Sequence, residues 1–142
     1  MDSTFVLGVV GSDAHCVANQ LLERDLVFRN QQVVNLGVAL SLQEVVEALT
    51  QINNPILLLG TLNGDLNPTV ETISSLREKF SEFFPIIVGG NYVLGEGGKD
   101  RTLDLLEAGA SLVIKNCPSI EEAVAKILEF SSDYRSLLRH GS

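Results

Sequence analysis

The chain has 142 residues and a formal net charge of −8, with 45% hydrophobic and 20% charged residues. Its length and composition are those of a globular domain, and we expect a single domain over residues 1–142. The acidic balance argues against nucleic acid or an anionic membrane surface as a partner, since both bind basic faces.

The apolar runs of the sequence are short. The run at residues 56–59 is far too brief to span a bilayer, and no basic region followed by an apolar stretch opens the chain. We therefore expect a cytoplasmic protein with no membrane segment. Cys16 and Cys117 lack metal-like spacing, and in that compartment they are expected to be free thiols.

In chain order, apolar runs alternate with amphipathic segments. The runs predict five strands, at residues 5–10, 32–36, 56–59, 85–88 and 111–114, the first of them buried on both faces. The amphipathic segments predict five helices, at residues 15–30, 42–52, 68–80, 100–108 and from 118 onward. Ser41 followed by Glu44 is a capping-box signature, Asn67 before Pro68 is the expected cap of the third helix, and the tail from Arg139 is expected to fray.

Five strand–helix units joined by short loops indicate right-handed crossovers and a parallel sheet. The fold class we predict is α/β, a flavodoxin-like (Rossmann-like) doubly wound sheet with strand order 2-1-3-4-5. In that fold, ligands bind beyond the carboxyl ends of the strands, near strands 1 and 3. The residues that follow strands 1, 3 and 4 are therefore the candidate site.

The loop after strand 1 carries an acid and an imidazole two residues apart, Asp13 and His15. A carboxylate that accepts one imidazole proton fixes the tautomer and makes the other nitrogen a better ligand or base. The pair alone does not decide its role, because Asp13 could equally cap the next helix while His15 is a solvated residue of its first turn. Cys16 beside them is expected to be a small packing residue rather than a nucleophile.

A zinc site or a hydrolytic triad fits the sequence poorly. The second histidine, His140, lies in the tail, and no nucleophile-elbow pattern surrounds Ser12. A single histidine ligand suits a metal whose remaining positions are filled by a macrocycle, which needs a large cavity. Gly60, Gly89 and Gly90 end strands 3 and 4 without side chains, so a bulky group could approach the sheet there.

Three segments together resemble the cobalamin (B12)-binding domain family: residues 11–18, with Asp13-x-His15, then Gly60-Thr61-Leu62, then the Gly-Gly-Asn of residues 89–91. The similarity covers nearly the whole chain. Within the family it is greatest to the small (sigma) subunits of methylaspartate mutase, also called glutamate mutase. The family pattern is Asp-x-His-x-x-Gly, Ser-x-Leu and Gly-Gly, and this sequence departs from it at Ala18, in place of Gly, and at Gly60, in place of Ser.

The resemblance implies that His15 is the lower axial ligand of cobalt in adenosylcobalamin, with the cofactor's own base displaced, and that Asp13 orients it. It implies no catalytic residue in this chain, and a large catalytic barrel (TIM-barrel) subunit as partner, in a heterotetramer that interconverts glutamate and 3-methylaspartate. The residues implied to line the cofactor are Ser12, Asp13, Ala14, His15, Cys16, Gly60, Thr61, Leu62, Gly89, Gly90, Asn91, Tyr92, Val93 and Leu94.

The two departures each have an expected cost. The methyl group of Ala18 is tolerated if its φ is negative and costs about 1 kcal/mol or more if it is not. Gly60 lacks a hydroxyl for the displaced base, which should weaken binding by roughly 0.5–1.5 kcal/mol unless Thr61 or a backbone group substitutes. Cobalamin binding is expected to persist, and a paralogue serving a related mutase is an alternative.

Three other functions fit less of the sequence. A receiver-type signalling domain shares the fold and would use Asp13 and Lys115, but strand 3 ends in Gly60-Thr61 rather than in a phospho-acceptor Asp. A flavin-binding electron carrier would need a hydroxyl-rich loop and stacking aromatics, for which Ser12 and Tyr92 are a poor match. A stand-alone cobalamin carrier or sensor differs from a mutase subunit only in its partner.

Overall fold

Strands and helices alternate through the chain. The computed structural model describes residues 3–10, 17–61, 66–90, 101–115 and 119–140. The strands are β1 (Thr4–Gly8), β2 (Gln32–Asn35), β3 (Pro55–Thr61), β4 (Ile86–Gly90) and β5 (Leu112–Ile114). The helices are α1 (Val17–Phe28), α2 (Leu42–Gln51), α3 (Asn67–Lys79), α4 (Thr102–Ala108) and α5 (Ile120–His140).

The described strands form one parallel sheet in the order β2-β1-β3-β4-β5. Phe5 of β1 lies between Val33 of β2 and Ile56 of β3. The chain places β2 on one side of β1 and then crosses over to place β3, β4 and β5 on the other side. The switch point between β1 and β3 is where such folds bind ligands. The predicted fold class and strand order are confirmed.

Side chains alternate across the sheet and build a core on each face. Val6, Leu57 and Val88 lie on the face of the sheet that α2, α3 and α4 cover. Phe5, Leu58 and Ile87 face the other way, toward α1 and α5. The central strands β1, β3 and β4 are buried on both faces over most of their length, whereas β2 at the sheet margin alternates between exposed and half-buried residues.

Helix ends agree with the sequence at α2 and differ at α3. The Ser41 side chain accepts from the backbone N of Glu44 at 3.2 Å, while Glu44 Oε1 accepts from the Ser41 backbone N at 3.1 Å, so the capping box is formed. Asn67 is not the cap of α3, because Leu66 holds that position and Asn67 begins the helix. The Asn67 side chain instead accepts from Arg101 Nη1 at 3.1 Å.

α1 and α5 bury fewer of their apolar side chains than the helical spacing of those residues in the sequence predicts. On α1, that spacing includes Leu21, Leu26 and Phe28; Leu26 is fully buried, but Leu21 and Phe28, seven residues apart, share an outer face. On α5, the spacing predicts a stripe of Ala123, Ile127 and Phe130, but Val124 rather than Ala123 joins Ile127 in the core. The helix also continues through residue 140, past the point where fraying was expected.

Arg77 of α3 ties together the starts of β4 and β5. Its Nε and Nη2 donate to Gly109 O at 3.0 and 2.8 Å, and its Nη1 donates to Phe84 O at 2.7 Å. Burial lowers the pKa of the Arg77 guanidinium. The carbonyl acceptors satisfy its N–H donors. The amino end of the sheet is thereby fixed, opposite to the candidate site.

Within the described ranges, none of the helices combines the length and the apolar character needed to cross a lipid bilayer.

Candidate functional site

The carboxyl ends of β3 and β4 bring the predicted glycines side by side. Gly60 pairs with Gly89, and Thr61 pairs with Gly90. β3 is longer than predicted, since it continues through Gly60 to Thr61. Four of the predicted site residues therefore lie together at the carboxyl end of the sheet, next to the end of β1.

Gly60 and Gly89 face the side of the sheet that α1 and α5 cover. Among the described residues, a Cβ added at Gly60 would meet Val9 Cγ2, at 3.6 Å, and one at Gly89 would meet Ile114 Cβ at 3.8 Å. Val9 and Ile114 are themselves buried. At this end of the sheet the bare backbone of Gly60 and Gly89 is flanked by the apolar side chains of Val9 and Ile114. We call these four residues the glycine floor.

Gly90 has a different reason to be glycine. Its φ is +130°, and an added Cβ would overlap the carbonyl of Thr61 on the neighbouring strand. Gly90 is thus required by the geometry of the sheet itself, whereas Gly60 and Gly89 have room for a methyl group.

The hydroxyl of Thr61 does not take the position that a serine at residue 60 would occupy. Successive residues of a strand point to opposite faces, so Thr61 lies on the α2–α3–α4 side. It is buried, and its Oγ1 donates a long hydrogen bond of 3.4 Å to Gly89 O. The suggestion that Thr61 substitutes for the missing hydroxyl is therefore not supported.

The loop after β1 begins and ends at described residues. Val10 pairs with Leu40, and the backbone N of Leu40 donates to Val9 O at 3.0 Å. After the loop, α1 begins at Val17. The loop residues themselves, with the other predicted lining residues, lie outside the described residues: Ser12, Asp13, Ala14, His15, Cys16, Leu62, Asn91, Tyr92, Val93 and Leu94.

Ala18 lies in the first turn of α1. The described non-glycine residues with positive φ are Asn30, Ala39 and Asn54, so Ala18 has an ordinary helical backbone. The methyl group that replaces the family's glycine therefore causes no backbone strain. This is the tolerated case of the two that the sequence left open.

A polar cluster beside the glycine floor was not predicted. Asn35, at the end of β2, accepts from Asn19 Nδ2 at 2.8 Å and donates to Glu23 Oε1 at 3.0 Å. A cleft of about 450 Å³ opens next to it, lined by Asn19, Gln20, Glu23, Asn35, Leu36, Gly37 and Val38. The available signal was a polar residue directly after Val33-Val34, at the carboxyl end of a strand beside β1.

The fold defines the chain as a flavodoxin-like doubly wound α/β domain. Glycines end its third and fourth strands at the carboxyl end of the sheet. The chain is 30% identical over 122 residues to the glutamate mutase sigma subunit 2 of Haloarcula marismortui, covering 85% of this chain and 82% of the relative. It is 34% identical over 102 residues to the glutamate mutase sigma subunit of Treponema denticola, covering 68% and 70%. The chain belongs to the family of glutamate mutase sigma subunits, which confirms the resemblance seen in its motifs.

Comparison of structures gives the same fold. A cobalamin-binding protein from Desulfitobacterium hafniense superimposes with a TM-score of 0.72 at 18% identity. The match covers 90% of this chain and 58% of that protein, so this chain spans little more than half its length. No protein-family model matches the sequence.

Proposed function

We propose that this chain is the cobalamin-binding subunit of an adenosylcobalamin-dependent carbon-skeleton mutase of the glutamate mutase type. Membership of the glutamate mutase sigma-subunit family supports a cobalamin-binding mutase subunit. The observation that carries the site is the glycine floor, which extends across the carboxyl ends of β3, β4 and β5 from the switch point between β1 and β3. Asp13 and His15 follow β1 in the sequence. Because Gly60 and Gly89 have no side chains, a ligand as bulky as a corrinoid could approach the backbone there.

In this proposal His15 is the lower axial ligand of cobalt, and the cofactor's own base is displaced. Asp13 would accept a hydrogen bond from the N–H of the other imidazole nitrogen, which fixes the tautomer and raises the basicity of the ligating nitrogen. A neutral imidazole is one of the axial ligands that proteins supply to a macrocycle-bound metal, and a carboxylate commonly orients it. The chain supplies the ligand and its orientation, and it supplies no catalytic acid or base.

The displaced nucleotide tail would lie over the glycine floor, between the ends of β1 and β3 and the start of α1. Gly60 and Gly89 let it approach the backbone, while Val9 and Ile114 provide apolar walls. Ser12, Ala14 and Cys16 from the first loop are the proposed lining residues on one side. Those on the other side are Leu62, Gly90, Asn91, Tyr92, Val93 and Leu94, with Thr61 contributing only its backbone because its side chain faces the opposite side of the sheet.

The partner we propose is a larger catalytic subunit with a barrel fold, assembled with this chain as a heterotetramer. Cobalamin, when bound, supplies a weak cobalt–carbon bond as a source of radicals. This chain binds and orients the cofactor and covers one of its faces, whereas the substrate amino acid is bound by the partner. We expect the chain to be inactive alone.

The test is binding of adenosylcobalamin by the purified chain. We expect a coloured complex that survives desalting, and loss of the colour in the His15→Ala variant. His140→Ala is the matched control, because it removes the other histidine of the chain at the far end of α5, and it should bind like the wild type. A colourless wild-type protein, or equal binding by His15→Ala, would contradict the proposal.

A further inference from the structure

β2 lies at one margin of the sheet, and among the described strands only β1 pairs with it. The backbone N of Leu36 donates to Leu7 O at 2.8 Å, so the peptide N–H at Leu36 is directed toward β1. Successive residues of a strand direct their N–H and C=O groups alternately to its two sides. The groups of Val34 are therefore also directed toward β1, and those of Val33 and Asn35 are directed outward.

This outer edge of β2 lacks the side chains that ordinarily keep a strand from pairing with another chain. Charged residues, above all lysine, and proline serve that purpose at the edges of natural sheets. Residues 30–43 contain no Lys, Arg, Asp, Glu or Pro. At the opposite margin, by contrast, Lys115 directly follows β5.

Apolar side chains flank the outer edge on both faces of the sheet. Val34, 39% exposed, pairs with Val6 and so lies on the face that α2, α3 and α4 cover. Val27 of α1 is 53% exposed and lies on the other face. It follows Glu23 by one helical turn, and Glu23 bonds Asn35, so Val27 lies on the side of α1 that is turned toward β2.

The edge is complementary to a copy of itself. Antiparallel pairing of two β2 strands about a two-fold axis at Val34 would set Val33 of each copy opposite Asn35 of the other. The outward N–H and C=O groups of those residues would then bond each other. Val34 would face the same valine of the second copy, at the non-hydrogen-bonded position where side chains of paired strands approach most closely.

Charge favours the same place for a contact between copies. The chain carries a formal net charge of −8, so most of its surface repels a second copy. The uncharged residues 30–43 let two copies approach without setting acids against one another. A strongly charged partner would find no complementary side chain on this strand.

We propose that the outer edge of β2 binds a second copy of this chain by antiparallel pairing, which joins the two five-stranded sheets into one. The inference goes beyond the proposed function and does not depend on it. Few residues of each copy take part, so the dimer is a weak one, with a dissociation constant on the order of 10–100 µM.

Sedimentation equilibrium of the purified, cofactor-free chain tests the proposal over a range of about 1–500 µM. Val34→Lys sets two lysines against each other at the two-fold axis, and we expect at least about tenfold weaker dimerisation. Leu137→Lys is the matched control, because Leu137 is an apolar side chain, 70% exposed, near the end of α5, and this variant should dimerise like the wild type. If Val34→Lys loses its fold by circular dichroism, Val27→Lys makes the same comparison at a more exposed position.

Amide hydrogen exchange identifies the pairing itself. Exchange at Val33 and Asn35 should slow as the protein concentration rises through the dissociation constant, whereas exchange at Val34 should not change.

A wild-type chain that remains monomeric at about 500 µM would overturn the proposal, whether or not the edge binds an extended segment of another protein. So would lysine variants that keep their fold and dimerise like Leu137→Lys. A dimer that leaves exchange at Val33 and Asn35 unchanged would show that the copies meet elsewhere, which overturns it too. None of these results bears on cobalamin binding.

Discussion

Gly90 lies opposite Thr61 across β3 and β4, and a Cβ added at Gly90 would overlap the Thr61 carbonyl oxygen. Its φ of +130° is also one that side chains with a Cβ rarely adopt. The adjacent Gly89 has neither constraint, because its nearest neighbours would be Ile114 atoms at 3.8 and 3.9 Å. Two consecutive glycines thus serve different purposes. Gly90 permits the backbone conformation and the close approach to Thr61, whereas Gly89 leaves open space above the strand.

Gly90→Ala should therefore destabilise the fold much more than Gly89→Ala. We expect Gly90→Ala to lower the free energy of unfolding by about 2–4 kcal/mol, through strain and loss of the last β3–β4 pair. Gly89→Ala should change it by less than about 1 kcal/mol. Urea denaturation of the two variants measures the difference, and equal losses would show that the sheet edge is not built as described.

Arg77→Lys should destabilise the amino end of the sheet. The lysine ammonium cannot reach Gly109 O and Phe84 O at once with the geometry of a planar guanidinium. We expect a loss of about 2–4 kcal/mol in unfolding free energy, measured by denaturation. The exposed Arg24 is the matched control, and Arg24→Lys should have no measurable effect. Cofactor affinity measured well below the unfolding temperature should be unchanged in both, because Arg77 lies at the opposite end of the strands.

Ser41→Ala should remove one half of the α2 capping box. The backbone N of Glu44 would lose its acceptor, at a cost of about 1 kcal/mol in unfolding free energy. Gln43→Ala, one position before Glu44 on the exposed side of the same turn, is the control and should cost less than about 0.5 kcal/mol. Thermal unfolding of both variants compares them, and an equal shift would argue that the cap contributes nothing of its own.

The topology was predictable because two sequence periods alternate cleanly. Apolar runs, four of the five followed by glycine, marked the strands, and amphipathic segments marked the helices. The capping box was predictable too, since Ser41 and Glu44 are partners three residues apart. These features depend on neighbours in the sequence.

What sequence reasoning missed depends on contacts across the fold. Asn35 joins residues 12 and 16 positions away, so its partners could not be inferred from local pattern. The distinction between Gly89 and Gly90 follows from what stands on β3 opposite each of them. Asn67 was expected to be a cap by its type, but its side chain bonds Arg101, 34 residues away.

Gly60→Ser should strengthen cobalamin binding. Within the described part of the chain, a Cβ at this position meets Val9 Cγ2 at the ordinary contact distance of 3.6 Å, and the hydroxyl would face the side of the sheet proposed for the nucleotide tail. One added hydrogen bond predicts about two- to tenfold tighter binding. Gly60→Ala is the matched control, which adds the Cβ without the hydroxyl. Binding titrations followed by absorbance compare the three proteins, and a serine variant no tighter than the alanine variant would remove the assigned role of position 60.

The ligation of cobalt by His15 is the central claim, and electron paramagnetic resonance of the chain loaded with cob(II)alamin tests it most directly. Protein labelled with ¹⁵N only in histidine should bind the cofactor with a histidine nitrogen on cobalt. The nitrogen splitting should then change from triplets in unlabelled protein to doublets in labelled protein, and the His15→Ala variant should lack it. Triplets that persist in the labelled protein would show that the cofactor's own base remains on cobalt, which would contradict the account.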